Sequence, residues 1–280
     1  MIIMLVNSKE ILLAAKQGNY AVPAPDVVDL DSARVYVNVA EQVGKPLILS
    51  FAQVLDGVIS LDEGAAIGRL LAERASVPIV LHLDHGVDEE YIRRAISLGF
   101  TSVMIDASGE SFAENVRITK SVVEFAHQHG VTVEAEIGHV GQGDNFADIE
   151  ISDNVYTTVE EASEFVKQTG VDSLAVSIGT IHGIYKNLEK PALSFDRLHE
   201  LARAVPVPLV LHGGSGSGDD NLHRCAVEGI SKINIFTDFL TNAMNKINSE
   251  KATDYLAVKR AANQGMTETL EHYYKVFAND

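Results

Sequence analysis

Eight short apolar, β-branched runs recur along this chain, and each is followed by a longer segment with helical periodicity. The runs are YAVPAP at 20–25, PLILSFA at 46–52, PIVLHLD at 78–84, TSVMID at 101–106, VTVEAEI at 131–137, DSLAVSIG at 172–179, VPLVLHG at 207–213 and SKINIF at 231–236. A parallel neighbour in a sheet needs a crossover connection, so this alternation builds a parallel sheet, and eight units favour its closed form. The expected fold is α/β, a single (β/α)8 TIM barrel over residues 1–280. Its additions are an N-terminal helix at 8–17 and a C-terminal helical extension broken near Gly265. The 280 residues suffice, since such a barrel takes about 250. An open doubly wound sheet is the alternative, but it would carry a GxGxxG turn after an early strand, and none is present.

The intervening helices are expected at 30–43, 61–75, 89–98, 112–129, 159–168, 195–204 and 219–228. Thr158 and Ser194 stand where N-caps are wanted, and Gly18, Gly44, Gly99, Gly130, Gly170 and Gly229 stand where left-handed C-caps are wanted. The formal net charge of −17 argues against a nucleic-acid surface, which needs clustered lysine and arginine. A lone cysteine, Cys225, allows neither an intrachain disulfide nor a cysteine-based zinc site, and reads as packing. The N-terminal MIIMLVNSKE lacks the basic flank and cleavage site of a signal peptide, and no apolar run reaches membrane-spanning length. A cytoplasmic protein with no membrane partner is expected.

Polar residues collect at one end of the strands, the end where barrels of this kind place their chemistry. The third strand ends in Asp84 and His85, the fourth in Asp106, and the fifth in Glu134 and Glu136. Thr180, His182 and Gly183 follow the sixth, His212-Gly213-Gly214 end the seventh, and Asn234 and Thr237 belong to the eighth. Burying such groups without partners costs several kcal/mol. Three imidazoles at one rim, from His85, His182 and His212, with an open fourth position make a catalytic zinc site, and a divalent cation compensates their burial. His82 shares the pleat parity of Asp84 and should point into the barrel in a supporting role. Of the other histidines, His139 lies nearest the rim; the rest fall in helices or loops. The GGSGSG stretch at 213–218 follows the seventh strand and precedes a helix, so it reads as a phosphate cradle completed by Asn234 and Thr237.

Together these residues resemble the class II, metal-dependent fructose-bisphosphate and tagatose-bisphosphate aldolase family. The matching segments are LHLDHG at 81–86, GFTSVMIDAS at 99–108, ENV at 114–116, VEAEIG at 133–138, TGVDSLAVSIGTIHGIYK at 169–186, PLVLHGGSG at 208–216 and KINIFTD at 232–238. The resemblance implies that His85, His182 and His212 bind catalytic Zn2+ and that Asp84 is the general acid/base. It assigns Asp106 and Glu136 to an alternative or second metal position. Gly183, Gly213, Gly214, Ser215, Asn234 and Thr237 match the dihydroxyacetone-phosphate pocket, beside which a monovalent cation (Na+ or K+) is often bound. Asp144, counted from Glu136, takes the place of the loop glutamate that protonates C3. The implied reaction is zinc-dependent, reversible retro-aldol cleavage of a ketose phosphate to dihydroxyacetone phosphate and an aldehyde, by a homodimer or homotetramer.

Departures from the family pattern fall at the far end of the substrate. Asp26 replaces an asparagine, Ala52 a serine or threonine, and Phe236 a small or acidic residue. Fructose 1,6-bisphosphate is the default substrate; tagatose bisphosphate, or another ketose 1-phosphate in a rebuilt distal pocket, is the alternative. Three readings from other classes remain open. A Schiff-base aldolase needs a lysine at the barrel mouth, and the strands offer only Lys232, near the wrong rim. A zinc-dependent sugar-phosphate hydrolase and a non-catalytic sugar-phosphate sensor are the others. Histidine's ordinary pKa of about 6.5 leads one to expect metal loss below about pH 6.

Overall fold

The computed structural model describes residues 4–138, 141–142, 156–182 and 192–279. Its strands are β1 (Val22–Pro25), β2 (Leu47–Ala52), β3 (Ile79–Gly86), β4 (Ser102–Ile105), β5 (Thr132–Ile137), β6 (Gly141–Gln142), β7 (Ser173–Val176), β8 (Ile181–His182), β9 (Leu209–Leu211) and β10 (Ile230–Ile235). Eight of them form one sheet in the order β1-β10-β9-β7-β5-β4-β3-β2, and every pairing is parallel. A parallel bridge between Asp26 and Ser50 joins its two edges. The eight expected strands are these, and the barrel is nearly closed. The sequence gives no sign of the separate two-stranded β6–β8 ribbon, in which His182 lies opposite Gln142.

The helices are α1 (Lys9–Gly18), α2 (Leu30–Val43), α3 (Leu61–Ala72), α4 (Glu89–Leu98), α5 (Phe112–Gln128), α6 (Val159–Thr169), α7 (Phe195–Ala204), α8 (Asp219–Glu228), α9 (Thr237–Glu250) and α10 (Tyr255–Val276). Thr158 and Ser194 cap α6 and α7 through their side chains, as their positions predict. At the end of α1 the left-handed residue is Asn19 rather than Gly18.

Pleat parity divides the strands cleanly. Leu47, Leu49, Phe51, Ile79, Leu81 and Leu83 face outward into the cluster shared with the surrounding helices. Ile48 and Val80, on the opposite parity, face inward with Val22 and Ala24 and pack against Ile11, Leu12 and Ala15 of α1. The N-terminal helix thus plugs the bottom of the barrel. Moving up β3 on the inward parity, Val80 gives way to His82 and then Asp84, both 1% exposed. The same phase on β5 and β10 brings Glu134, Glu136, Lys232 and Asn234 inside.

The expected break near Gly265 is not there. The chain breaks between α9 and α10, around Lys251–Asp254, and Gly265 lies within α10. A Cβ at Gly265 would sit 2.6 Å from the carbonyl oxygen of Asn242. The glycine is there for close approach of two helices, a need that a local reading mistakes for a helix stop.

Candidate active site

Adjacent residues in a regular strand point to opposite faces, so Asp84 and His85 cannot both enter a barrel mouth from an undistorted β3. The strand is distorted there. Its register against β4 shifts between Leu83 and Gly86, and His85 adopts a left-handed φ of 47°. Such a bulge re-aims a side chain at the rim of a barrel. It brings the two imidazoles of His85 and His212 edge to face, with ring centroids 4.6 Å apart.

A pocket of about 810 Å³ opens at this end of the barrel, floored by Asp26, Asp84, His85, Asp106, Glu136 and Asn234. Asp84 Oδ1 accepts a hydrogen bond from Asn234 Nδ2 at 2.9 Å, and Asp84 Oδ2 lies 3.8 Å from His85 Nε2. Burial alone would raise the pKa of Asp84, but His85, His82, Lys232 and His212 around it outweigh burial and hold it well below the usual carboxylate range. His85 Nδ1 bonds Asp106 Oδ2 at 2.9 Å, and Asp106 Oδ1 is held by the backbone N–H and hydroxyl of Ser108. The ring of His85 is therefore oriented with Nε2 toward Asp84 and the pocket.

His212 stands between two carboxylates, with Nε2 3.0 Å from Glu134 Oε1 and Nδ1 2.9 Å from Glu136 Oε2. Burial would lower its pKa, yet hydrogen bonds to Glu134 and Glu136 push it up to about 10. Asp26 goes the same way for a different reason. Burial and then the charge of Asp84 raise it to about 8, leaving a neutral carboxyl with an O–H to donate where an asparagine would donate an N–H.

On the opposite side lies the glycine-rich loop. A Cβ on Gly214 would meet Asn234 O at 2.8 Å and the side chain of Ile235 at 2.7 Å, so only glycine lets the loop lie this close to β10. Ser215 Oγ accepts from the backbone N–H groups of Phe236 and Asp238, at 3.1 and 3.4 Å. Those two bonds take up its lone pairs and leave its hydroxyl proton to donate. Most helices here carry a capping side chain at the N-cap, but α1, α8 and α9 do not. The first residue of α9, Thr237, lines the pocket. A helix start beside a glycine loop favours an anion through the helix dipole and the backbone N–H groups of the loop.

Of the residues singled out in the sequence, Asp26, Ala52, Asp84, His85, Asp106, Glu136, Gly213, Gly214, Ser215, Asn234, Phe236 and Thr237 line this one pocket, and His212 adjoins it. His182 ends β8, after the sixth strand of the barrel. Asp144, Gly183 and His139 lie outside the described residues. Two contributors were passed over. The sequence shows Glu134 only as a polar strand residue and puts Lys232 near the wrong rim. The Lys232 side chain instead runs up inside the barrel, and its Nζ comes within 3.9 Å of Asp84 Oδ1. The signal was legible: a lysine at an inward position of an apolar strand is tolerated only when paired.

This arrangement has counterparts. The model for class II fructose-bisphosphate aldolases matches residues 6–280. The chain belongs to that family. It is accordingly an aldolase, a carbon–carbon lyase, and the family uses a divalent metal. The chain is 40% identical over 234 residues to the D-tagatose-1,6-bisphosphate aldolase subunit GatY of Klebsiella oxytoca, covering 84% of this chain and 82% of that protein. The crystal structure of the YdjI aldolase of Escherichia coli K12 superposes with a TM-score of 0.89 at 34% identity, covering 99% of this chain and 98% of the other. A putative fructose-1,6-bisphosphate aldolase from Coccidioides immitis gives a TM-score of 0.83 at 28% identity, covering 96% and 94%.

The residues present fit the family's divalent metal. Ligand atoms of Asp84, His85 and His212 lie within 4.8 Å of one another, as do those of His85, Asp106 and Glu136. The carboxyl groups of Asp84, Asp106 and Glu136 converge with the imidazoles of His85 and His212, a donor set whose negative charge a bound cation offsets. Among the described residues, no helix is long and apolar enough to cross a membrane.

Proposed function

We propose that this chain cleaves a ketose 1-phosphate between C3 and C4, releasing dihydroxyacetone phosphate and an aldehyde, with zinc at His85, His182 and His212. The observation that carries this reading is the meeting of Asp84, His85 and His212 with a glycine loop and a helix start at one pocket. A zinc ion held there supplies a Lewis acid that stabilises negative charge developing at the ketose C2 oxygen.

The chain's own residues do the rest. The loop at Gly213–Ser215 and the start of α9 at Thr237 hold the 1-phosphate. Asn234 keeps Asp84 in place, and Asp84, ionised by its neighbours, takes the proton of the C4 hydroxyl in cleavage and returns it in condensation. Asp26 donates its O–H to the substrate, and Asp144 delivers the proton to C3. Asp106 orients His85, and Glu136, whose Oε2 lies 2.9 Å from His212 Nδ1, would be available to a second or alternative metal position with Asp106. A monovalent cation beside the phosphate belongs to the same reading, as do a cytoplasmic location and a homodimer or homotetramer.

The Schiff-base alternative gains nothing from Lys232, because its amine is held by both oxygens of Glu134. Fructose 1,6-bisphosphate remains the default substrate, and the name of GatY adds tagatose 1,6-bisphosphate. A second reading rests on the far wall of the pocket. That wall is Ala52, Gln53, Val54, Leu55, Val87 and Phe236, and the described lining residues include no lysine or arginine to meet a second phosphate. The reading is a ketose 1-phosphate whose distal end is uncharged.

A substrate panel separates the two. On the first reading the bisphosphates are cleaved fastest; on the second, dihydroxyacetone phosphate release is faster from a ketose 1-phosphate lacking the second phosphate, and Phe236→Ala narrows the difference. Cleavage of fructose 1,6-bisphosphate with kcat on the order of 1–10³ s⁻¹, the usual enzymatic range, would sink the rebuilt-pocket reading.

A further inference from the structure

Beneath the Asp84–His85–His212 cluster lies a second polar layer that the chemistry above does not use. Lys232 is 1% exposed and points into the barrel. Its Nζ donates to both oxygens of Glu134, at 2.7 and 2.9 Å, and faces His82 Nε2 at 3.2 Å. A lysine ammonium has three N–H donors and no acceptor, so with two directed at the carboxylate the third requires His82 Nε2 to accept. His82 then carries its proton on Nδ1 and donates it to Ser102 Oγ, 2.9 Å away. Ser173 Oγ, at 3.3 Å, adds a further donor to Glu134 Oε2.

Glu134 is the link upward. Lys232 Nζ lies 2.7 and 2.9 Å from its two oxygens, and an ammonium held between both oxygens pairs with the ionised carboxylate. An ionised carboxylate has no proton to give, so the 3.0 Å contact to His212 runs from the ring N–H at Nε2 to Glu134 Oε1. The other nitrogen, Nδ1, faces Glu136 and the mouth. An imidazole binds a metal only through a nitrogen that has given up its proton.

We propose that Lys232 and Glu134 are positioning residues for the metal site. Lys232 locks the Glu134 carboxylate, and Glu134 keeps the proton on His212 Nε2, so that Nδ1 is the nitrogen offered to the cation. The proposal rests on His212 being a metal ligand. A merely stabilising salt bridge is a weaker account, because desolvation offsets much of what such a buried pair gains. Nor is the layer a second metal site. His82, Asp84 and Glu134 do converge, but Lys232 Nζ sits among them at 3.2, 3.9 and 2.7 Å and supplies the positive charge there.

Glu134→Gln tests this. Glutamine keeps the shape, but its side-chain nitrogen donates. With its oxygen held by Lys232, the amide N–H faces His212 Nε2, which must then accept, and the ring proton moves to Nδ1. Zinc affinity of the chelator-stripped, full-length protein, read by competition with a chromophoric chelator, should fall about 10–100-fold, the usual effect of losing an outer partner of a metal-bound histidine. Lys232→Met should weaken binding in the same direction, and Glu134→Asp, which keeps the acceptor charge, should recover part of the affinity.

Nitrogen-15 spectra of zinc-loaded, histidine-labelled wild type need no variant, and should show His212 protonated at Nε2. Wild-type zinc affinity in folded Glu134→Gln and Lys232→Met, or zinc bound to His212 through Nε2, overturns this proposal alone. Unchanged zinc affinity in His212→Ala overturns the ligand assignment, and the proposal with it.

Discussion

Replacing Asp84 with asparagine should lower the rate of carbon–carbon cleavage by about 10²–10⁴-fold, the usual contribution of a positioned general acid or base. The substitution is nearly isosteric. Asparagine can turn its amide oxygen toward Asn234 Nδ2 and preserve the 2.9 Å contact that holds the side chain. What it cannot do is accept and return a proton. The carboxylate is kept ionised by imidazoles and a lysine that outweigh its burial, so the wild-type group stands ready as an acceptor across the neutral range. Steady-state kinetics should show the loss in kcat, with KM moved little. Bound zinc should remain close to the wild-type level. A variant that loses its zinc in step with its activity would mean that Asp84 is a ligand rather than the proton carrier, a possibility its place in the Asp84–His85–His212 group keeps worth measuring.

The second large effect concerns pH. From ordinary histidine values, metal loss is expected only below about pH 6. The structure moves that onset upward. In the metal-free protein, His212 is flanked by Glu134 and Glu136, which raise its pKa from the ordinary 6.5 to about 10. A raised pKa means that protonation favours the folded, metal-free state. That stabilisation is complete below 6.5 and is lost as pH rises through about 10. On the proposed ligation through Nδ1, zinc displaces the same proton, so metal affinity changes in the opposite sense. It should fall about tenfold for each unit that pH drops below the raised value, rather than hold steady down to 6. Calorimetry in buffers of different ionisation enthalpy should detect about one proton released from His212 per zinc near neutral pH. Zinc affinity that is flat between about pH 8 and pH 7 would show that His212 is not held protonated by its two carboxylates.

The sequence was most informative where period and position alone decide the outcome. Eight apolar runs with helical segments between them determine the barrel, because parallel strands need crossovers. The barrel in turn decides that Asp84, Glu136, His212 and Asn234 meet at one rim. Even the inward direction of His82 follows from its parity with Asp84. What could not be read depends on contacts between distant segments. The bulge that lets Asp84 and His85 share the mouth is a register shift against β4 with no local signature. The pairing of Lys232 with Glu134 joins residues 98 positions apart. Gly265 looks like a helix stop until α9 is laid against it. The role of Asp106 is similar. The strand-end position was plain, but its bond to His85 Nδ1 appears only once β3 and β4 are side by side.

The central claim is metal-dependent aldol cleavage at the pocket that holds Asp84, His85 and His212. The most direct measurement is dihydroxyacetone phosphate release from fructose 1,6-bisphosphate, tagatose 1,6-bisphosphate and a ketose 1-phosphate lacking the second phosphate, before EDTA, after EDTA, and after zinc is added back. Release from at least one of these is expected, abolished by the chelator and restored by zinc. Release that survives complete removal of the metal, or a protein that neither holds zinc nor cleaves any of the three, would contradict it.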